Sequence, residues 1–208
     1  MLVIGLTGSI GMGKSAAASY FARRGVPVFS ADAEVHRLYA GEAVPLIEAA
    51  FPGVVRGACV DRELLARSLA GSPDKLKELE RIVHPLVVKS EIDFLRAEER
   101  RGAKLALLEI PLLFETGAEA RVDVTVVVSA PEAAQRKRVL ARPRMTEAKL
   151  TGLLARQLPD AAKRARADFI VDSGTSLKDM HAQIDTLLES LKGRNGRVMQ
   201  RLRHINTD

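Results

Sequence analysis

The stretch Gly8-Ser9-Ile10-Gly11-Met12-Gly13-Lys14-Ser15 follows the apolar run Leu2-Val3-Ile4-Gly5-Leu6 and precedes Ala16-Ala17-Ala18-Ser19-Tyr20-Phe21-Ala22. It satisfies every position of the pattern G-x-x-x-x-G-K-[ST]. The pattern demands a particular local fold: a buried strand delivers the chain to a tight glycine turn whose backbone N–H groups converge on an anion, and the next helix adds its positive end. Lys14 then reaches the β- and γ-phosphates of a nucleoside triphosphate, and the Ser15 hydroxyl is a hard oxygen ligand suited to Mg²⁺. The nucleotide-binding set runs from Gly8 through Ala16.

Around this loop the chain reads as an alternation of strands and helices. Leu2–Leu6 has the continuous apolar character of a strand buried in a parallel sheet. A helix from Lys14 ends at Arg24-Gly25, and Val26-Pro27-Val28-Phe29 is a second strand, so the unit is a parallel crossover. Leu105–Leu108, Val122–Val128 and Phe169–Asp172 supply three more strands. With 208 residues, one α/β domain is expected. Its helical segments lie at Pro131 onward, at Glu147–Leu158 behind a Thr146 cap, and from Ser176 to about Leu191.

Between residues 34 and 101 no strand is expected. Helix-like segments occupy Pro45–Phe51, Asp61–Leu69, Pro73–Val83 and Pro85–Arg101, with breaks at Gly41, Pro52-Gly53, Gly71 and Pro85. The partition is therefore a core at 1–33, 102–134 and 167–192, a helical acceptor-binding insertion at 34–101, a lid at 135–166 and a basic tail at 193–208.

Four places carry candidate chemistry besides the loop. Asp32 follows the second strand, where a carboxylate can accept a proton from a hydroxyl or help hold Mg²⁺; the alternative is that Ser30 or Asp32 caps a helix over Ala33–Ala40. Glu109 ends its strand where an acidic group approaches Mg²⁺ through water. The loop Ile110–Glu115, including Leu113, could line a substrate pocket or pack in the core. His84-Pro85 sits at a helix break, as a functional group or as a structural cap.

The net charge of +6 is unevenly placed. From Gln135 to Arg166 there are ten Lys/Arg against Glu147 and Asp160, and from Lys192 to Asp208 five against one, so the remainder is acidic. The arginine segment places Arg138 and Arg142 on one helix face, suited to neutralising a transferring phosphoryl group from a lid. With no Trp and two Tyr, stacking platforms for single strands are scarce, which argues against nucleic acid. Cys59 is the only cysteine, excluding an internal disulfide and a zinc cluster. No charged-then-apolar leader opens the chain and no apolar run approaches the ~20 residues of a membrane span, so a cytoplasmic protein is expected, monomeric or weakly homo-oligomeric.

Several separated stretches together resemble the dephospho-coenzyme A kinase family over roughly residues 1 to 192. They are Gly5-Leu6-Thr7-Gly8, Ser30-Ala31-Asp32-Ala33, Asp61-Arg62, His84-Pro85-Leu86, Ile110–Glu115, Gln135 with Arg138 and Arg142, Gln157, Ala167-Asp168 and Asp172-Ser173-Gly174. The resemblance implies a three-layer P-loop NTPase fold with a five-stranded parallel sheet, a helical substrate-binding insertion and a helical lid. It implies transfer of phosphate from ATP, with Mg²⁺, to the ribose 3′-hydroxyl of dephospho-coenzyme A, the last step of coenzyme A synthesis.

Carried onto this chain, it makes Asp32 the catalytic base, assigns Lys14 and Ser15 to phosphates and Mg²⁺, and puts Arg138 and Arg142 in the lid. Thr7, His84, Pro85 and Leu113 fall on the acceptor side, and Gly174 on the nucleotide side. The chain departs from the family pattern at Ser9 (Gly), Ala16 (Thr), Ser30 (Asp), Glu109 (Asp) and Asp172 (Asn). Ser9 adds a side chain that could demand a particular backbone angle, and Asp172 cannot donate to adenine as Asn would. The competing readings are another P-loop nucleoside, nucleotide or small-molecule kinase and, further off, a regulatory or nucleic-acid-stimulated NTPase. A guanine-reading N-K-x-D stretch is absent.

Overall fold

The computed structural model describes residues 1–204. In chain order it contains β1 (Leu2–Thr7), α1 (Lys14–Arg23), β2 (Val28–Ser30), α2 (Ala31–Leu38), α3 (Val44–Ala50), β3 (Val55–Arg56), β4 (Cys59–Val60), α4 (Arg62–Leu69) and α5 (Pro73–Arg100). There follow β5 (Leu105–Glu109), a 3₁₀ turn (Ala118–Arg121), β6 (Val124–Ser129), α6 (Glu132–Leu140), α7 (Glu147–Leu154), α8 (Asp160–Arg166), β7 (Phe169–Asp172), α9 (Leu177–Leu191) and α10 (Val198–His204). The chain divides into two compact units, residues 1–29 with 95–208, and residues 30–94.

A five-stranded parallel sheet in the order β2-β5-β1-β6-β7 is the frame of the first unit. β1 lies in register with β5, Leu6 opposite Glu109, and with β6, Thr7 opposite Val127. Strands that run side by side in parallel cannot be joined by tight turns, so each connection is a crossover that returns the chain to the amino ends of the strands. The phosphate loop emerges at the opposite, carboxyl end of β1.

Alternation along β1 sorts its side chains. Leu2, Ile4 and Leu6 pack with Val124, Val126 and Val128 against Ala17, Ala18 and Phe21 of α1 and Met180, Ile184, Leu187 and Leu191 of α9. Phe21 is fully buried, and truncating such a ring costs about 3–5 kcal/mol. The opposite face carries Gly5, where an added Cβ would stand 3.0 Å from Val122 and 3.3 Å from Leu113. α9 starts in a reciprocal cap: Ser176 accepts from Asp179 N while Asp179 accepts from Ser176 N.

The second unit is helical but not entirely so. β3 and β4 pair antiparallel, Val55 with Val60 and Arg56 with Cys59, around a turn in which Gly57 has φ 61°. The expectation of no strand between 34 and 101 is thus corrected. Two-residue strands are too short for alternation to register. α4 is capped by Asp61, which accepts from Glu63 N and Leu64 N.

The break expected at His84-Pro85 is absent. α5 runs unbroken from Pro73 to Arg100 with Pro85 inside it. Proline removes one intrahelical hydrogen bond, a cost that a helix of 28 residues with an apolar face can absorb. Beyond α7 the chain forms a further helix, α8, that periodicity did not reveal, and the tail forms α10. The last four positions of the expected basic tail, 205–208, lie outside the described residues. No helix among the described residues is long and apolar enough to cross a membrane.

Candidate active site

The phosphate loop leaves β1 at Thr7, whose buried hydroxyl donates to Pro111 O at 3.0 Å. All three of its glycines, Gly8, Gly11 and Gly13, are required by geometry. A Cβ on Gly8 would stand 2.6 Å from Val128 O, and Gly13 caps α1 at φ 89°, ψ 13°, a left-handed conformation closed to most side chains. Ser9, the departure from the family pattern, is buried but has no positive φ, so its side chain imposes no strain. Ser9 O accepts from Met12 N at 3.0 Å, closing the turn.

Lys14 and Ser15 open α1, and both face Glu109 at the end of β5. Lys14 Nζ donates to Glu109 Oε1 at 2.6 Å, and Ser15 Oγ reaches the same oxygen at 3.4 Å. The two charged side chains are only 12% and 9% exposed. Register explains the meeting, because Leu6, two residues before the loop, sits directly opposite Glu109. A low-dielectric cluster of one ammonium, one hydroxyl and one carboxylate beside a ring of backbone N–H groups is built to receive phosphates. Ser15 Oγ and the Glu109 carboxylate are hard oxygen donors that fit Mg²⁺, which keeps most of its shell for phosphates and water. No cluster of three or more His, Cys, Asp or Glu residues fit to hold a metal exists among the described residues.

Around the loop is a collar that spacing did not disclose. Gln135 Nε2 donates to Ile10 O at 2.8 Å, and Ile10 N donates to Gln157 Oε1 at 3.2 Å, so one loop residue is held from α6 and from the chain after α7. Ser173 Oγ donates to Met12 O at 2.6 Å, and Ala130 N lies 3.1 Å from Met12 Sδ. Arg138 crosses this collar, donating to Ser173 O at 2.6 Å, Ser173 Oγ at 3.0 Å and Gly11 O at 3.4 Å. Lone glutamines in an arginine-rich segment were the available signal.

Arg142, four residues on, is exposed and has no side-chain partner among the described residues. Gly174 lies against α6: a Cβ there would stand 2.3 Å from Pro131 Cδ, and its N–H donates to Asp172 Oδ1 at 2.7 Å. Thus one Asp172 oxygen is engaged in its own turn.

The segment carrying α7 and α8 is tied down by a buried ion pair. Lys163, fully buried, stands 2.9 Å from Glu115 Oε1, which also accepts from Leu158 N at 2.8 Å. Burial pushes the Glu115 carboxyl up, but the Lys163 ammonium and the Leu158 N–H outweigh it and hold it below the ordinary carboxylate range. Glu115 is thereby linked, through the residue after Gln157, to the phosphate loop.

In the second unit, Ser30 caps α2, its Oγ accepting from Ala33 N at 3.5 Å. This decides between the two caps considered from sequence: Asp32 lies within the first turn, exposed and without a partner among the described residues. Asp32 lines a cavity of 520 Å³ together with His36, Tyr39, Arg62 and the apolar Leu65 and Leu79. Burial raises the Tyr39 hydroxyl pKa, partly countered by Arg62. A few polar groups over an apolar floor are the make-up of a small-molecule pocket.

Three expected acceptor residues, His84, Pro85 and Leu113, are not among those lining this cavity. His84 and Pro85 are exposed within α5, outside the residues lining that cavity. Leu113 is fully buried behind Gly5 in the core, the second of the two roles its loop could take.

The Dephospho-CoA kinase family model matches residues 2–179. The chain is 57% identical over 194 residues to a Brucella melitensis protein named dephospho-CoA kinase, covering 93% of this chain and 97% of that one. Among solved structures it resembles TT1252 from Thermus thermophilus, with a TM-score of 0.81 and 36% identity over 92% of this chain and 98% of that one. A dephospho-CoA kinase from Campylobacter jejuni shares the fold at a TM-score of 0.63 and 22% identity, covering 91% of this chain and 96% of that one. With its phosphate loop, its Lys14–Glu109 pair and these relatives, the chain belongs to the dephospho-CoA kinase family.

Proposed function

We propose that this protein transfers the γ-phosphoryl group of ATP to the ribose 3′-hydroxyl of dephospho-coenzyme A, giving coenzyme A and ADP. The observation that carries the reading is the convergence of Lys14 and Ser15 on Glu109 at the mouth of an intact phosphate loop. Family membership supplies the acceptor.

Each residue then has a physical task. Incoming phosphates compete with Glu109 for the Lys14 ammonium, which follows the β/γ charge as it shifts in the transition state. The loop amides, positioned by the Gln135, Gln157 and Ser173 collar, require no reorganisation when that charge develops. Ser15 Oγ and the Glu109 carboxylate beside it would hold Mg²⁺, which would neutralise phosphate oxygens. Asp32 orients the acceptor hydroxyl and takes its proton. The free carboxylate at the rim of an amphipathic cavity supports this assignment. Arg142, unengaged, is the lid residue available to the migrating phosphoryl group, whereas Arg138 secures the loop on the nucleotide side with Gly174. We place the enzyme in the cytoplasm, as a monomer or weak homo-oligomer, in line with its single exposed Cys59.

The test is ADP release from Mg-ATP with and without dephospho-coenzyme A, in wild type and Asp32→Asn. Acceptor-dependent release, phosphate on the ribose 3′-oxygen and near-complete loss in the variant are the expected results. Release that ignores the acceptor would leave a nucleotide-binding fold and remove the kinase reading. A nucleoside kinase would instead prefer a nucleoside from a panel of hydroxyl acceptors.

A further inference from the structure

The far end of β1 carries a second cluster of cationic side chains that the phosphate site does not use. Asp123 docks the tail there: its Oδ1 accepts from Arg197 N at 2.6 Å and Val198 N at 3.0 Å, and its Oδ2 from Val3 N at 2.9 Å. Gly196 must be glycine for this approach, since a Cβ would stand 2.4 Å from both Asp123 Oδ2 and Met1 O. Val198 and Met199, in the first turn of α10, are buried, and Arg96 donates to Leu202 O at 3.4 Å. The tail is therefore built into the fold.

Docking leaves a cavity of 730 Å³ between the strand ends and the tail. Leu2, Val122 and Val124 line it on the apolar side, and Arg194, Arg197 and Arg201 on the other. Arg194 lies 5.9 Å over the Phe169 ring, while Arg197 and Arg201 have no side-chain partner among the described residues. The carboxylate lining the cavity is Asp123, and both of its oxygens already accept backbone N–H groups. Three guanidinium forks facing an apolar floor, with no acid paired to them, form a trap for a phosphate joined to a flat apolar body.

We infer that this cavity is a binding site for a small organic phosphate, distinct from the phosphate loop. The loop leaves the carboxyl end of β1 and the cavity opens at its amino end, roughly 17 Å away at ~3.3 Å per residue. The two ligands can be held at once. The family match ends at residue 179, so the basic wall belongs to a part of the chain beyond the matched region. The inference does not depend on the acceptor proposed above.

The test is amide NMR of the full chain titrated with AMP, with adenosine and with inorganic pyrophosphate, read residue by residue. AMP should shift amides across 194–204, adenosine should leave them in place, and pyrophosphate should bind more weakly than AMP. R197A/R201A should weaken AMP at those amides by roughly tenfold or more, with dephospho-coenzyme A phosphorylation within about twofold of wild type. R197Q/R201Q, which keeps polar stems over the docked helix, should show the same loss if the alanine variant unfolds. AMP shifts confined to Gly8–Ser15, or tail shifts unaltered in both variants, would overturn the proposal. Tail amides that respond to an RNA oligomer and not to AMP would overturn it in favour of a nucleic-acid surface.

Discussion

The two ends of β1 meet anions by different means. At the carboxyl end, Gly8 to Ser15 supply backbone N–H groups, one lysine and one hydroxyl from a single continuous stretch, with Glu109 as the counter-charge. At the amino end, Leu2, Val122, Val124, Arg194, Arg197 and Arg201 come from three separated segments, and the positive charge is carried by flexible side chains. Backbone donors are fixed before the ligand arrives and can follow charge in a transition state. Guanidinium groups on exposed stems pay ordering entropy and suit binding rather than chemistry. The contrast teaches that the same strand can present a reactive site and a recognition site, divided by how rigidly each holds its donors.

The largest effect expected is at Lys14. Lys14→Ala should lower kcat/KM by roughly 10³-fold or more, because Lys14 is the cation held within the phosphate loop itself, while AMP binding at residues 194–204 stays intact. Loss at both ends together in a folded variant would break the separation. Next is Glu115→Gln, which strips the fully buried Lys163 of its counter-charge and should cost about 3 kcal/mol in denaturant unfolding.

The same pair has a pH signature. The Glu115 carboxyl is held below its ordinary value in the folded state, so its contribution is present above that value and is lost as pH falls through the folded one. Thermal melts from about pH 7 to about pH 3 should show an acid-dependent fall in wild type that is reduced in Glu115→Gln. Equal slopes would refute the pair's contribution.

The two lid arginines sharpen the comparison within the reactive end. Arg138→Ala should mainly raise the KM for ATP, since it releases Ser173 and Gly11, whereas Arg142→Ala should lower kcat by roughly tenfold with KM little changed. The reverse pattern would mean that Arg138 leaves the collar during turnover. The smallest effect is that of R197A/R201A on turnover, within about twofold in the steady-state assay; a larger loss would show the two ends to be coupled.

Much of the reactive end is legible because its information is contiguous. The strand, the glycine turn, Lys14 and Ser15 are neighbours in sequence, and the loop conformation follows from which residues lack a Cβ. Glu109 is legible as the terminal residue of an apolar run. The collar is not: Gln135 and Gln157 enter only as members of the family resemblance, with no role assigned, until α6 and the chain after α7 bring both to Ile10. Pro85 misleads for the converse reason, since a local breaker was outweighed by packing along a long helix.

Residue type at short spacing is enough for the strand-loop-helix core, the family resemblance and the candidates Lys14, Ser15, Asp32 and Glu109. That Ser30 and not Asp32 caps α2, that Leu113 belongs to the core, that Arg138 is spent on Ser173 while Arg142 is free, and that the basic tail docks on Asp123 emerge only from the folded chain. Each of those outcomes turns on partners far apart in the chain, and their proximity is set by sheet order and helix packing, for which local propensity carries no term.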